Sequence, residues 1–233
     1  AAEDARAVAE KLGTPIHFLD LSREFRESVA ADFIREYQAG RTPNPCVICN
    51  RRIKFGAMLD AALALGGEYL ATGHYARVQY DEASGRWLLL RGTDPARDQS
   101  YFLYRLTQFQ LAHTLFPLGE MEKPAIRDLA EEAGLVTARK RDSQDICFVP
   151  DGDYAAFIAR RVGEESPEGD FLDEEGNVLG RHRGFLRYTR GQHKGLGLVT
   201  ERPLYVQRKD PVTKAIYLGP DEALYSREAT VRD

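Results

Sequence analysis

Apolar residues recur at helical spacing from Ala1 to Leu12 and stop at Gly13, a residue suited to the left-handed turn that ends helices. Pro15–Leu21 is a short apolar run, carrying Ile16, Phe18 and Leu19, and predicts a strand of a buried sheet. Helical spacing returns over Ser22–Gln38, with Ser22 as N-cap, until Gly40-Arg41-Thr42-Pro43-Asn44-Pro45 breaks it. Each proline pushes the residue before it out of the α region, so this loop is expected to be stiff and extended. Asn50–Leu65 reads as an amphipathic helix closed by Gly66-Gly67, and Glu68–Thr72 as the next strand. The alternation of helix and strand predicts an α/β layer built on a parallel sheet.

Further along, Ala76–Tyr80 and Trp87–Arg91 flank Glu82-Ala83-Ser84-Gly85 as a hairpin. Helices are expected over Gln99–Leu111, Lys123–Ala133 and Asp153–Arg161. From about Gly163 the texture changes, as Gly, Pro and acidic residues crowd together and helical periodicity disappears. Phe171–Leu179 predicts a hairpin, and Leu204–Gln207 and Ala215–Leu218 predict strands. A domain boundary is therefore placed near residue 164, with a small β-rich domain after it.

Composition narrows the class. The 233 residues are 43% hydrophobic and 29% charged, which excludes collagenous, low-complexity and disordered chains. No apolar run approaches the roughly 18–20 residues of a membrane span, so no membrane partner is expected. Three cysteines are too few for a disulfide scaffold and point to a reducing, cytoplasmic setting. A net charge of −4 gives no global sign of nucleic-acid binding, so any basic surface has to be local.

Cys46 and Cys49 form a C-x-x-C pair after the proline-stiffened loop, with Cys49 expected just before a helix start and Arg51, Arg52 and Lys54 in the following turn. A helix N-terminus and nearby cations both favour thiolate, the nucleophilic form. Cys147 follows Arg139-Lys140-Arg141 in the segment Asp142-Ser143-Gln144-Asp145-Ile146-Cys147-Phe148. Buried structural thiols, reactive thiols and an iron–sulfur cluster on three thiolates all remain open on this pattern. Thr72-Gly73-His74 is expected at the C-terminal end of a strand, where α/β sheets bind ligands and Gly73 would admit a nucleotide. An ordinary strand-end turn with His74 packed on the surface fits the spacing as well. Arg97-Asp98-Gln99 could present polar groups to a ligand or cap a helix at Asp98. Arg181–Gly195 holds five Lys/Arg, two His and no acid, with Phe185 and Tyr188 interleaved, a composition suited to phosphate contacts and base stacking.

Taken together, Gly40–Asn50 with Ile53-Lys54-Phe55, and then Ala71–Arg77, Asp98–Tyr104, His113–Gly119, Arg139–Pro150 and Arg187–Leu198, resemble the bacterial tRNA-specific 2-thiouridylases in the family's order. The resemblance implies an ATP-pyrophosphatase-type (adenine nucleotide alpha-hydrolase-like) α/β domain over residues 1–163. A central β-rich, tRNA-contacting domain over 164–226 and the start of a C-terminal β-barrel at 227–233 would follow. It implies ATP with Mg2+, adenylation of the wobble-uridine C2 oxygen, and replacement of that oxygen by sulfur. Cys147 matches the cysteine that carries the persulfide and Cys49 the nucleophile that releases it, leaving a Cys49–Cys147 disulfide. Gly73 matches an ATP-contacting glycine. Asn44, Pro45 and Cys46 match the stretch that meets the target base, and His74, Arg97, Asp98 and Gln99 match positions that meet tRNA. Partners implied are tRNA and a sulfur-relay protein or cysteine desulfurase, with the enzyme a monomer.

Two departures matter. Many members carry Asp where this chain has Cys46, so a [4Fe–4S] cluster on Cys46, Cys49 and Cys147 is an alternative source of sulfur. The family's Ser-Gly-Gly-x-Asp-Ser loop, which holds the pyrophosphate of ATP, is not in these residues. The chain is therefore expected to be a fragment lacking the ATP loop and most of the barrel, inactive alone. A non-catalytic RNA-binding metal module and a dithiol redox protein on Cys46 and Cys49 are the competing readings.

Overall fold

The glycines that punctuate the sequence do end helices. Gly13, Gly66, Gly134 and Gly163 all have positive φ and follow helical segments. The computed structural model describes residues 2–139, 146–228 and 230, which divide into two units. The first comprises Ala1–Ala30 with Pro45–Gln144, and the second Ala31–Asn44 with Asp145–Asp233. Among the described residues no helix is long and apolar enough to cross a membrane.

In the first unit, α1 spans Ala2–Leu12, as its periodicity predicts. Pro15–Leu21 is not a strand. Ile16, Phe18 and Leu19 are exposed, and among the described residues nothing pairs with their backbone, so the apolar run has no ladder to join. Helical structure covers Ser22–Gln38 as α2 (Ser22–Phe25), a π-helical turn (Arg26–Ala30) and α3 (Ala31–Gln38), the last in the second unit. Ser22 is not the cap. The Asp20 carboxylate accepts its backbone N–H at 3.0 Å, which satisfies one of the orphan donors of the first turn.

After α4 (Pro45–Cys49), a π-helical stretch (Asn50–Met58) and α5 (Leu59–Ala64), the strand predicted over Glu68–Thr72 is short. Leu70–Ala71 (β1) pairs in parallel with Thr114–Leu115 (β4), which gives the α/β layer its parallel element. The predicted hairpin is present as β2 (Ala76–Asp81) against β3 (Arg86–Arg91). Phe55, Ala76, Leu103 and Phe116 form the core here, with Leu70, Val78 and Leu89 packed on it. The helix predicted over Gln99–Leu111 divides into a 3₁₀ turn (Ser100–Phe102) and α6 (Gln108–Ala112). Thr107 and Gln110 build a capping box, and that reciprocal bonding starts a new helix in place of continuing the old one. Helix α7 (Lys123–Glu132) follows.

The second unit contains α8 (Tyr154–Val162), capped by the Asp153 carboxylate, and a four-stranded sheet. Its strands are β5 (Gly169–Leu172), β6 (Val178–His182), β7 (Tyr205–Lys209) and β8 (Ile216–Gly219), in the order β6-β5-β8-β7. Pairing is antiparallel except for β5 with β8. Phe171, Phe185, Val206, Ile216 and Leu218 bury one face, and Phe33 gathers Tyr37, Phe148, Tyr154 and Phe157 into an aromatic group. Burying a ring of this size contributes about 1.5–3 kcal/mol, so this small sheet is well supplied with apolar contact. The chain thus comprises an α/β unit with parallel pairing and a small β-rich unit.

Candidate functional site

Proline at the first position of a helix is pre-organised, and it excludes the residue before it from helical geometry. Pro45 accordingly opens α4, and Asn44 lies just outside. The helix start is therefore five residues earlier than the sequence suggests. Cys49 has helical angles (φ −59°, ψ −46°) and continues into the π-helical stretch, so the first-turn thiol is Cys46. Cys46 is exposed and Cys49 half-buried, at the i, i+3 spacing that shares a helix face. Asn50, next in line, is 2% exposed, and its Oδ1 has no hydrogen-bond partner among the described residues.

The wide turn needs support, and Gln110 supplies it. Its Nε2 donates to the Phe55 carbonyl at 2.6 Å and to the Arg51 carbonyl at 3.4 Å, while its Oε1 accepts from Thr107 N. Sequence reasoning missed this residue. The Thr107-Gln108-Phe109-Gln110 capping pattern was the signal that could have found it.

At the end of β1, Thr72 extends the parallel pairing by donating its N–H to the Leu115 carbonyl, and Gly73 and His74 follow. His74 is 8% exposed, between the Phe55 and Phe116 rings at 5.7 and 6.0 Å. This overturns the surface packing that an ordinary turn would give it, because both rings belong to the core cluster. Its Nδ1 is 2.8 Å from Thr72 Oγ1 and its Nε2 3.5 Å from Lys54 Nζ. Burial, and then the charge of Lys54, push its pKa down to about 4, so the ring is neutral. An ammonium can only donate, which makes Nε2 the acceptor and puts the ring proton on Nδ1, facing Thr72. Gly73 has no left-handed backbone, and a Cβ there would meet only Leu118 Cδ1, at 3.5 Å.

Arg97, Asp98 and Gln99 divide by role. Asp98 Oδ1 accepts from Gly92 N (3.0 Å) and Ser100 N (3.2 Å), and Oδ2 from Ser100 Oγ (2.9 Å). Burial raises its pKa, but these bonds and the charge of Arg91 outweigh that and hold it below the usual carboxylate range. Gln99 Oε1 accepts from Tyr75 N at 3.1 Å, and its own N–H donates to Tyr75 O. Gln99 thus latches this loop to Tyr75, the neighbour of His74, while Asp98 ties it to Gly92 after β3. Arg97 is exposed.

In the second unit Cys147 is an exposed free thiol, in a turn closed by Val149 N donating to Ile146 O. Lys140, Arg141 and the stretch Asp142–Asp145 that preceded it in the sequence reading lie outside the described residues. Arg139 is paired with Glu131 at 3.0 Å. In the basic segment, Arg181, Arg183, Arg187 and Arg190 are exposed while His182, Phe185, Leu186 and Tyr188 are buried. The arginines lie at the surface, with Arg181 facing Asp170 at 4.0 Å and Arg187 facing Asp153 at 3.8 Å. The aromatics are core and cannot stack on bases, which corrects the sequence expectation.

Cys46 and Cys49 belong to the first unit and Cys147 to the second. Among the described residues no disulfide joins these cysteines, and no three His, Cys, Asp or Glu side chains gather as a metal-holding group.

A family model described as the tRNA methyl transferase HUP domain matches residues 1–151, and one described as the tRNA methyl transferase PRC-barrel domain matches 155–220. The chain is similar to tRNA-specific 2-thiouridylase MnmA 2 of Thermoanaerobacter sp. (strain X514), 51% identical over 98% of this chain and 63% of the relative. It is similar to the MnmA of Solibacter usitatus, 48% identical over 99% of this chain and 63% of the relative. Against the MnmA of Clostridioides difficile the identity is 46% over 100% of this chain and 64% of the relative. The chain therefore spans less than two thirds of the length of these relatives.

Proposed function

The chain belongs to the family of the tRNA methyl transferase HUP and PRC-barrel domains, and from that premise we propose that it serves ATP-dependent sulfur transfer to C2 of the wobble uridine of tRNA, giving 2-thiouridine. The family description names methyl transfer, whereas the relatives' names state 2-thiolation. The observation that carries the second reading is the pair of thiols: Cys49 on a helix rich in cations, and Cys147 exposed in its own turn. Methyl transfer has no need of such a pair, and sulfur transfer does.

ATP, when bound, supplies the adenylyl group that makes the uridine C2 oxygen a leaving group. Gly73 fits a nucleotide contact, since nothing in the chain's own packing requires a glycine there. The terminal sulfur of a Cys147 persulfide attacks C2 and AMP departs with the oxygen. The Cys49 thiolate then attacks the Cys147 sulfur, the S–S bond breaks, and its electron pair stays with the sulfur now on C2. A Cys49–Cys147 disulfide is left, and a thiol reductant restores it. Asn44, Pro45 and Cys46 would meet the target base at the helix start. Arg97 would meet tRNA on a loop that Asp98 and Gln99 hold in shape. A sulfur-relay protein or cysteine desulfurase would reload Cys147.

Mass-spectrometric counting of 2-thiouridine in tRNA tests this, with each substitution carried in a protein that also holds the pyrophosphate loop. Cys49→Ser and Cys147→Ser should each abolish thiolation, Cys46→Ser should retain most of it, and the Cys49–Cys147 disulfide should accumulate when reductant is withheld. Full thiolation by Cys147→Ser would end the persulfide reading.

A further inference from the structure

Lys54 lies five residues after Cys49 and is half-buried. Its ammonium is 3.5 Å from His74 Nε2, and His74 in turn gives its Nδ1 proton to Thr72 Oγ1 at 2.8 Å. The Phe55 and Phe116 rings hold the imidazole in place. Thr72, Gly73 and His74 occupy the C-terminal end of β1, the side of an α/β sheet on which ligands bind.

The choice of partner is informative. A carboxylate would orient a lysine and also neutralise it. A neutral imidazole orients the ammonium and leaves its full positive charge and two of its three N–H donors for another group. Among the described residues no carboxylate stands within 4.0 Å of Lys54. A cation held this way, with a glycine preceding its imidazole partner in the chain, suits an anion with several acceptor oxygens.

We infer that Lys54 is a phosphate-binding residue and His74 the positioning residue that presents its ammonium, the pair forming a phosphate site at the end of β1 between Cys49 and Gly73 in sequence order. The site's place in sulfur transfer rests on the function proposed above; its binding chemistry does not. A nucleotide phosphate and a tRNA backbone phosphate share this chemistry, and the two are separable.

The test titrates the protein with AMP, with adenosine and with an anticodon stem-loop RNA, reading affinity by calorimetry and the His74 ring by 15N NMR. The wild-type ring should show the Nδ1–H tautomer, and its Nε2 signal should move when phosphate binds. Lys54→Met should weaken binding of the phosphate ligand about tenfold, Lys54→Arg should recover most of it, and His74→Asn should cost severalfold. Adenosine should not distinguish the variants. A response to AMP assigns the site to the nucleotide, and one to the stem-loop assigns it to tRNA. Equal affinities of wild type, Lys54→Met and His74→Asn for both phosphate ligands, with all three folded by circular dichroism, would overturn the inference. Phosphate binding that depends on Lys54, in a wild-type protein that does not thiolate tRNA, would count only against the proposed function.

Discussion

His74 in the first unit and Lys209 in the second are both bases withdrawn from water, each 8% exposed, yet their surroundings treat the proton differently. His74 gives its proton up. Its neutral ring is bonded on both nitrogens to polar side chains, and one of these, Lys54, reaches solvent. Lys209 keeps its proton at neutral pH although burial pulls its pKa down to about 8. Its ammonium donates to Tyr188 O at 2.8 Å and lies over the Phe185 and Tyr37 rings at 4.6 and 5.5 Å, and Gly40 packs against its backbone. The first arrangement ends in a charge that a ligand can use, and the second is closed on itself. Burial with a shifted pKa therefore does not by itself mark a site; what the network leads to decides.

The most severe way to break the first arrangement acts through Gly119. A Cβ there would fall 1.8 Å from the Ala76 carbonyl oxygen, on the strand that follows His74, and backbone cannot yield as a side-chain tip can. Gly119→Ala should cost about 3 kcal/mol or more in urea unfolding. A loss under about 1 kcal/mol would mean that this packing is much looser than described.

Acid should come next. An unfolded histidine titrates near 6.5 and His74 near 4. Between those values the unfolded chain binds more protons, so stability is full above pH 6.5, falls as pH drops, and the loss is complete below pH 4. The difference amounts to about 3 kcal/mol. Urea midpoints at pH 7, 5.5 and 4 should show a slope that flattens in His74→Asn. Parallel slopes would place the titration elsewhere.

Lys209 should respond in an alkaline window instead, and its substitution should have a smaller effect at neutral pH. Its pKa is lowered from 10.5 to about 8, so the cost of the buried charge is present throughout neutral pH and is relieved as pH rises from 8 toward 10.5. Lys209→Met removes that cost together with one hydrogen bond and the ring contacts. These offset, and the change at pH 7 should be about 1 kcal/mol or less. The alkaline rise in wild-type stability should disappear in the variant, and its persistence would break the comparison.

Local signals carried much of this architecture in the sequence. Gly13 and Gly66 marked helix ends because only glycine enters the left-handed turn cheaply, and Ala76–Arg91 read as a hairpin because alternation flanked a turn. Pro15–Leu21 misled because an apolar run becomes a strand only when a ladder partner is present. Gln99–Leu111 misled because periodicity does not register the competing capping box at Thr107. At the candidate site, the cysteines, Gly73, His74 and Arg97 stood out by type and spacing. Lys54 appeared only as one cation among several. Its link to His74 joins positions 20 residues apart, and a one-dimensional pattern holds no distances between side chains. Gln110, which reaches back 55 residues to Phe55, was hidden for the same reason.

Gly73 offers the smallest structural effect and the sharpest functional one. Its backbone is accessible to any L-residue, and an added Cβ would touch only a leucine methyl at ordinary contact distance. Removing a glycine's freedom from the unfolded chain then leaves Gly73→Ala neutral or stabilised by about 0.4–1 kcal/mol. If the strand end admits a nucleotide, the same methyl occupies space that the ligand needs, and the KM for ATP in thiolation should rise about tenfold with the melting temperature unchanged or higher. Lys54→Met should weaken binding through lost charge, which high salt reproduces in the wild type. Gly73→Ala should weaken it sterically, with no change in salt dependence. An unaltered KM in Gly73→Ala would remove the nucleotide from this end of the strand and leave tRNA phosphate as the ligand of Lys54.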